Sequence, residues 1–223
     1  MNKCLPFKYN PPANTGLDIL YQDDDLLIIN KPAGLLSVPG RDEDRQDCLI
    51  RRVQTELANA RVVHRLDMAT SGIMVMALKN EVHRQLSMMF ERRKIQKRYV
   101  AIVDGHVEDE RGVIDLPLIT DWPNRPKQII DFERGKPSRT CFTVMAYDQD
   151  KKSTRLELIP ETGRSHQIRV HLQSLGHAIL GDSLYASDEV REKSSRLLLH
   201  STFLSFHHPV NGERLSIACN APF

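Results

Sequence analysis

Short apolar runs broken by Gly, Pro and Asp set the rhythm of this chain, and most runs are too short for helices. Residues 26–29 (Leu-Leu-Ile-Ile) read as a buried strand that stops at the turn Lys31-Pro32-Ala33-Gly34. Residues 73–78 form a second fully apolar run, and residues 99–103 a third. Alternation over 140–147, 154–159, 197–206 and 214–219 predicts half-buried strands. Helical spacing is found three times. Asp47 is expected to cap a helix carrying Leu49, Ile50, Val53 and Leu57, and Asn80 one carrying Val82, Leu86, Met89 and Phe90. Ser165 is expected to cap the third, with Ile168, Leu172 and Leu175 inward and Gly176 closing it in the left-handed region. Residues 1–17 read as an extended arm, and residues 115–137, rich in proline and holding the only Trp, as an irregular loop. No internal repeat or linker divides residues 1–223. The expectation is one α/β (α+β) domain on a mixed, mostly antiparallel sheet with flanking helices and loops.

Composition removes several classes of protein. Hydrophobic residues make up 40% and charged residues 27%, ordinary for a globular chain large enough to bury a core without staples. No apolar run approaches the roughly 18 residues of a membrane span, and the N-terminus lacks the apolar stretch of a secretory signal. Cys4, Cys48, Cys141 and Cys219 show no CxxC spacing, which suits reduced thiols and a cytoplasmic location. Net charge is 31 − 29 = +2, so the chain is no polycation. Five of the seven residues from Arg92 to Arg98 are nevertheless basic: Arg92, Arg93, Lys94, Lys97 and Arg98. Such a stripe fits either a solvated helix end, where cations complement the dipole, or a phosphate track.

Three polar clusters could carry chemistry. His64-Arg65-Leu66-Asp67-Met68-Ala69-Thr70-Ser71-Gly72 places one carboxylate on a turn immediately before a core strand. Thr162 to His171 sets Arg164, His166, Arg169 and His171 around a helix start, where backbone N–H groups favour anions. Leu197-Leu198-Leu199-His200 sits in an apolar strand. The bland alternatives are real: His166 as a structural turn residue, His200 as a hydrogen-bonded core histidine, His207-His208 as a surface strand end. No HxH, HExxH or Cys/His pairing points to a metal. No GxGxxG or Walker A lysine points to a nucleotide, and no nucleophile elbow is present.

Taken in order, these motifs resemble the RluA family of pseudouridine synthases. His-Arg-Leu-Asp-x-x-Thr-Ser-Gly resembles its second motif and Asn30-Lys31-Pro32-Ala33-Gly34 its first. Lys97-Arg98-Tyr99-Val100-Ala101 resembles its tyrosine motif, and Thr162 to His171 with Leu197 to His200 its third region. Ala178 and Ser201 depart from the commoner family residues, outside the aspartate motif. The resemblance implies the pseudouridine synthase fold and assigns Asp67 as the nucleophile or base. It could act at ribose C1′, at uracil C6 or on a 2′ proton. Arg169 would hold that carboxylate, and Tyr99 would stack the flipped uracil. Arg65 would fill the vacated space or grip a phosphate, and Leu199 would form an apolar wall. Arg164 and His166 join the substrate-binding set, and the 92–98 stripe becomes the phosphate track. Isomerisation breaks one glycosidic bond and remakes it at C5, so no cofactor or metal is expected.

The string 121–128 (Asp-Trp-Pro-Asn-Arg-Pro-Lys-Gln) and the lack of an S4-type RNA-binding module resemble the family's dual-specificity members. That implies uridine 32 of a tRNA anticodon loop and uridine 746 of 23S rRNA as substrates, for a monomer without a protein partner. Rival readings are a non-catalytic RNA-binding protein of the same fold, a synthase for another position, and a metal-dependent nuclease or phosphatase.

Overall fold

The computed structural model describes residues 9–223. Along the chain run β1 (Ile19–Gln22), β2 (Leu26–Lys31), α1 (Leu49–Gln54), β3 (Arg61–Val62), β4 (Ser71–Ala77), α2 (Asn80–Glu91), β5 (Gln96–Asp104) and β6 (Arg111–Asp115). Then come β7 (Leu118–Thr120), β8 (Gln128–Ile130), β9 (Arg139–Asp148), β10 (Ser153–Pro160), α3 (Gln167–Ser174), α4 (Asp188–Glu192), β11 (Leu199–His207) and β12 (Arg214–Ala218). Ten strands form one sheet in the order β1-β2-β4-β11-β5-β10-β9-β6, with β12 beside β11 and β3 beside β4. β7 and β8 make a separate two-stranded sheet. Every pairing is antiparallel except β4 with β11, so the expected mixed, mostly antiparallel sheet is what forms.

The continuous apolar runs of β2 and β4 have a simple cause, burial on both faces. Leu27, Ile29, Met74 and Met76 face a core shared with Leu49 and Val53 of α1. Leu26, Ile28, Ile73, Val75 and Ala77 face the opposite core, with Val82 and Leu86 of α2. A third core lies under β5, β9 and β10 and is closed by Ile168 and Leu172 of α3. Tyr99 packs against the first and third of these cores, at their junction.

Helix starts differ from the expected caps. The residue before α1 is Cys48, not Asp47, whose carboxylate instead takes two bonds from Arg52 (2.8 and 2.7 Å). That guanidinium reaches on to the Pro12 carbonyl and pins residues 9–18, which carry no helix or strand. Asn80 is the first helical residue of α2 and Lys79 its cap position, without a side-chain cap bond. α3 begins after His166, which adopts φ +55°, and Ser165 makes no cap bond. Buried Gln167 takes that role, accepting from the Thr162 hydroxyl (2.6 Å) and the Arg164 N–H (3.1 Å). Leu175 is exposed rather than inward, while Gly176 does close the helix at φ +86°. Residues 115–137 are more regular than expected, folding into the β7–β8 hairpin. His208 is buried, not a surface residue: its Nδ1 accepts from the Val210 and Asn211 N–H groups, and its Nε2 lies 3.0 Å from Asp23.

β11 serves two neighbours on one edge, pairing through His200 and Ser201 with β4 and from Phe203 onward with β12. The parallel contact brings Gly72 against Ser201 at φ +110°, where an added Cβ would collide with the Ser201 backbone. Gly72→Ala should therefore cost about 3 kcal/mol or more, lowering the melting temperature by roughly 6–12 °C in thermal denaturation. An unchanged melting temperature would show that the β4–β11 contact is slack.

Candidate active site

Asp67 sits on the loop that leads into β4, and that loop has little freedom. Lys31, fully buried at the end of β2, donates its three ammonium protons to the carbonyls of Pro32 (2.9 Å), Leu35 (2.7 Å) and Met68 (3.1 Å). The Gly34 N–H also donates to Met68 (2.8 Å). On the other side of Asp67, the Ser37 hydroxyl donates to the Leu66 carbonyl (2.7 Å). His64 accepts the Val75 N–H through Nε2 (3.1 Å) and stacks on Phe90, with ring centroids 4.3 Å apart. Burial pushes the Lys31 ammonium down to about 7, opposed by the nearby Asp67 charge. It pushes His64 down to about 3, Lys97 adding to the effect. His64 is therefore a neutral structural acceptor.

Opposite the loop, α3 presents Arg169, 3% exposed. Its guanidinium makes a two-pronged pair with buried Asp182 (2.8 and 2.7 Å) and leaves Nη1 3.5 Å from Asp67 Oδ2. Burial disfavours the charge on Arg169, but the hydrogen bonds and charge of Asp182 overcome it and raise the group. Burial likewise works against ionised Asp182, yet Arg169 and the N–H groups of Leu184 and Tyr185 hold its carboxyl below the usual range. His166 stands between, Nε2 3.9 Å from Asp67 and Nδ1 2.7 Å from the Tyr185 hydroxyl, and burial lowers it. The Tyr185 hydroxyl also accepts the Gln128 N–H of β8 (2.8 Å). It is pushed up to about 12 by burial.

These groups open onto a cleft of about 1980 Å³ lined by Asp67, Tyr99, Leu199, Arg65, Arg164, His166 and Arg169. Nine cationic side chains border it against three carboxylates (Asp67, Glu91 and Glu161), so a near-neutral chain acquires a positive groove. Tyr99 is pushed up to about 12, chiefly by burial, and remains a neutral phenol. Arg65 is exposed at the rim, Leu199 is buried in the floor, and Arg164 is partly anchored by its bond to the Pro137 carbonyl (3.3 Å). A carboxylate held by its backbone, an arginine fixed by a second carboxylate and a phenol ring beside them suit nucleophilic or base chemistry on a flat, uncharged ring.

A family model described as RNA pseudouridylate synthase matches residues 25–174. The chain is 50% identical to the dual-specificity RNA pseudouridine synthase RluA of Escherichia coli K12, over 96% of this chain and 98% of that protein. The chain belongs to the RNA pseudouridylate synthase family. A relative of the same name from Vibrio parahaemolyticus is 51% identical over 91% of this chain and 82% of its own length. Among solved structures, human RNA pseudouridylate synthase domain containing 1 superposes with a TM-score of 0.80 at 27% identity, covering 96% of this chain and 87% of that one. Human RNA pseudouridylate synthase domain containing 4 gives 0.74 at 26% identity, over 92% and 88%. The enzyme class and the RNA substrate follow from this membership.

Not every expected site residue of this synthase reaches the cleft. Arg93, Lys97 and Arg98 line it, whereas Arg92 and Lys94 do not. The stripe is split because Arg93 ends α2 in the left-handed region (φ +56°), so the chain reverses within it. Lys31, Ser37, Asp182, Tyr185 and Gln128 were missed as parts of the site; only Lys31 and Gln128 lay within a quoted motif. Asp23, Asp25 and His208 are the one described trio close enough to share a cation, and they lie outside the cleft. Their atoms are already engaged: Asp23 by the Tyr21 hydroxyl and two N–H groups, Asp25 by Lys79. Among the described residues no helix is long and apolar enough to cross a membrane.

His200, buried and 2.7 Å from the Ser71 hydroxyl, is the expected core histidine and is pushed by burial down to about 4. With His64 it sets an acid limit. Both stay neutral in the fold while the unfolded chain takes up protons below about 6.5, so stability falls as pH drops through that value. Denaturant titrations should show a loss approaching about 1.4 kcal/mol per pH unit per histidine. His64→Gln should flatten the slope, and an unchanged slope would mean His64 is protonated in the folded protein.

Proposed function

We propose that this synthase isomerises uridine in two folded RNA loops, position 32 of a tRNA anticodon loop and position 746 of 23S rRNA, with Asp67 as nucleophile or base. The observation that carries the assignment of roles is the Asp67 carboxylate 3.5 Å from the Arg169 guanidinium, at the floor of a cationic cleft. Arg169 steadies and aims the carboxylate through this charge-assisted contact. Tyr99 stacks the extruded uracil against Leu199, a contact worth about 1–3 kcal/mol. Arg65 takes the space the base leaves or its phosphate, and Arg164 and His166 border the same substrate. Arg93, Lys97 and Arg98 neutralise backbone phosphates. The dual-specificity relatives, similar over 98% and 82% of their own lengths, support the two-substrate reading. We place the enzyme in the cytoplasm, as a single domain acting as a monomer.

Asp67→Asn should abolish pseudouridine formation in a tritium-release assay while RNA is still bound; residual turnover by that variant would remove Asp67 from the chemistry. Arg169→Met should lower turnover roughly 100- to 1000-fold with binding largely kept, and full activity would sink the aiming role. Pseudouridine mapping in cells lacking the protein should show loss at both positions. Loss at other uridines instead would reject the substrate assignment and leave the enzyme class intact.

A further inference from the structure

The β7–β8 hairpin carries the one tryptophan of the chain at its tip, and that indole is 65% exposed. Nothing in the fold needs it there, because the tip braces itself. Asp121 Oδ2 accepts from Asn124 Nδ2 (2.9 Å), the Asp121 N–H donates to the Lys127 carbonyl (3.0 Å), and the Lys127 N–H donates to Asn124 (3.1 Å). The Arg125 guanidinium lies 4.5 Å from the indole centroid, which presents a cation and an aromatic face together.

The hairpin is also fixed relative to the active site. Gln128 N–H donates to the Tyr185 hydroxyl, which holds His166 beside Asp67. Arg125, Pro126, Thr120 and Gln128 line the cleft, whereas Trp122 lies beyond that lining. A tryptophan just outside a cationic groove, next to an arginine that lines it, matches what single-stranded nucleic acid requires: a ring for a base and a charge for its phosphate.

Resting on the reading of the substrate as a folded RNA loop, we propose that Trp122 stacks an unpaired base flanking the target uridine. Arg125 meets the adjacent phosphate. The hairpin tip is thus a second base-binding position, distinct from the Tyr99 site that takes the uracil.

Because the chain has one tryptophan, its emission reports on this position alone. Titration with a synthetic anticodon stem-loop should quench it, with the half-maximal change at the RNA concentration that half-saturates turnover. Trp122→Ala should raise KM about 5- to 100-fold, with kcat at saturating RNA within about twofold and melting temperature unchanged. Trp122→Phe should recover most of the loss. Abasic substitution of loop nucleotides, one at a time, should reproduce the KM defect at a single position and add nothing in Trp122→Ala. Unquenched emission with RNA shown bound by gel shift, or an unchanged KM in Trp122→Ala, would overturn the proposal. Failure of the unaltered enzyme to bind or modify the stem-loop would instead bring down the substrate reading, and this proposal with it.

Discussion

The buried pair of Arg169 and Asp182 is the constraint on which the site depends. An arginine 3% exposed cannot be held charged without a partner, and a carboxylate 1% exposed is as costly alone. Each satisfies the other through two short bonds, and the N–H groups of Leu184 and Tyr185 complete the carboxylate. The pairing consumes one edge of the guanidinium, Nε and Nη2, and leaves Nη1 facing Asp67 at 3.5 Å. That contact is at the outer limit of a hydrogen bond. Asp67 is attracted without being locked, which would suit the nucleophile or base proposed for it.

The aspartate loop needs a rigid frame on its own side, and Lys31 supplies it from a strand distant in sequence. Its three protons match three carbonyl acceptors, one of them Met68, the neighbour of Asp67. Lys31 is reachable only because β2 and β4 are paired up to Lys31↔Gly72. The same register places Gly72 against Ser201, so the loop, the parallel β4–β11 contact and Tyr99, paired with Ser201, converge on one point. Tyr99 joins two cores there, and its ring position is set by packing from both.

Strands buried on two faces were legible because their apolar runs are continuous, and the inner faces of α2 and α3 because Val82, Leu86, Ile168 and Leu172 keep helical spacing. Caps were not. Asp47, Asn80 and Ser165 are favoured cap types, yet the first is drawn to Arg52, the second lies one residue inside its helix, and the third is displaced by the left-handed turn at His166. Local propensity loses there to tertiary partners. Asp67 and Arg169 were found through motifs that cluster polar residues. Asp182 stands isolated in Ile179-Leu180-Gly181-Asp182, and only folding brings it to Arg169. The 92–98 stripe read as one surface because sequence does not show the reversal at Arg93.

The charge balance around Asp67 follows from these placements. Arg169 is largely committed to Asp182, so the pair contributes a weak field, and Lys31 adds a cation whose own burial works against its charge. Asp67 is thus not buried in a strong positive cage; the larger positive potential comes from the cleft walls, where Arg65, Arg93, Lys97 and Arg98 are spread along the groove. That division has a chemical consequence. Cations on the walls attract phosphates, whose charge is fixed, whereas a strong cage at the floor would clamp the carboxylate and weaken it as a nucleophile or base. Walls charged to suit a phosphate backbone and a floor that leaves one carboxylate unclamped can therefore belong to the same cationic cleft.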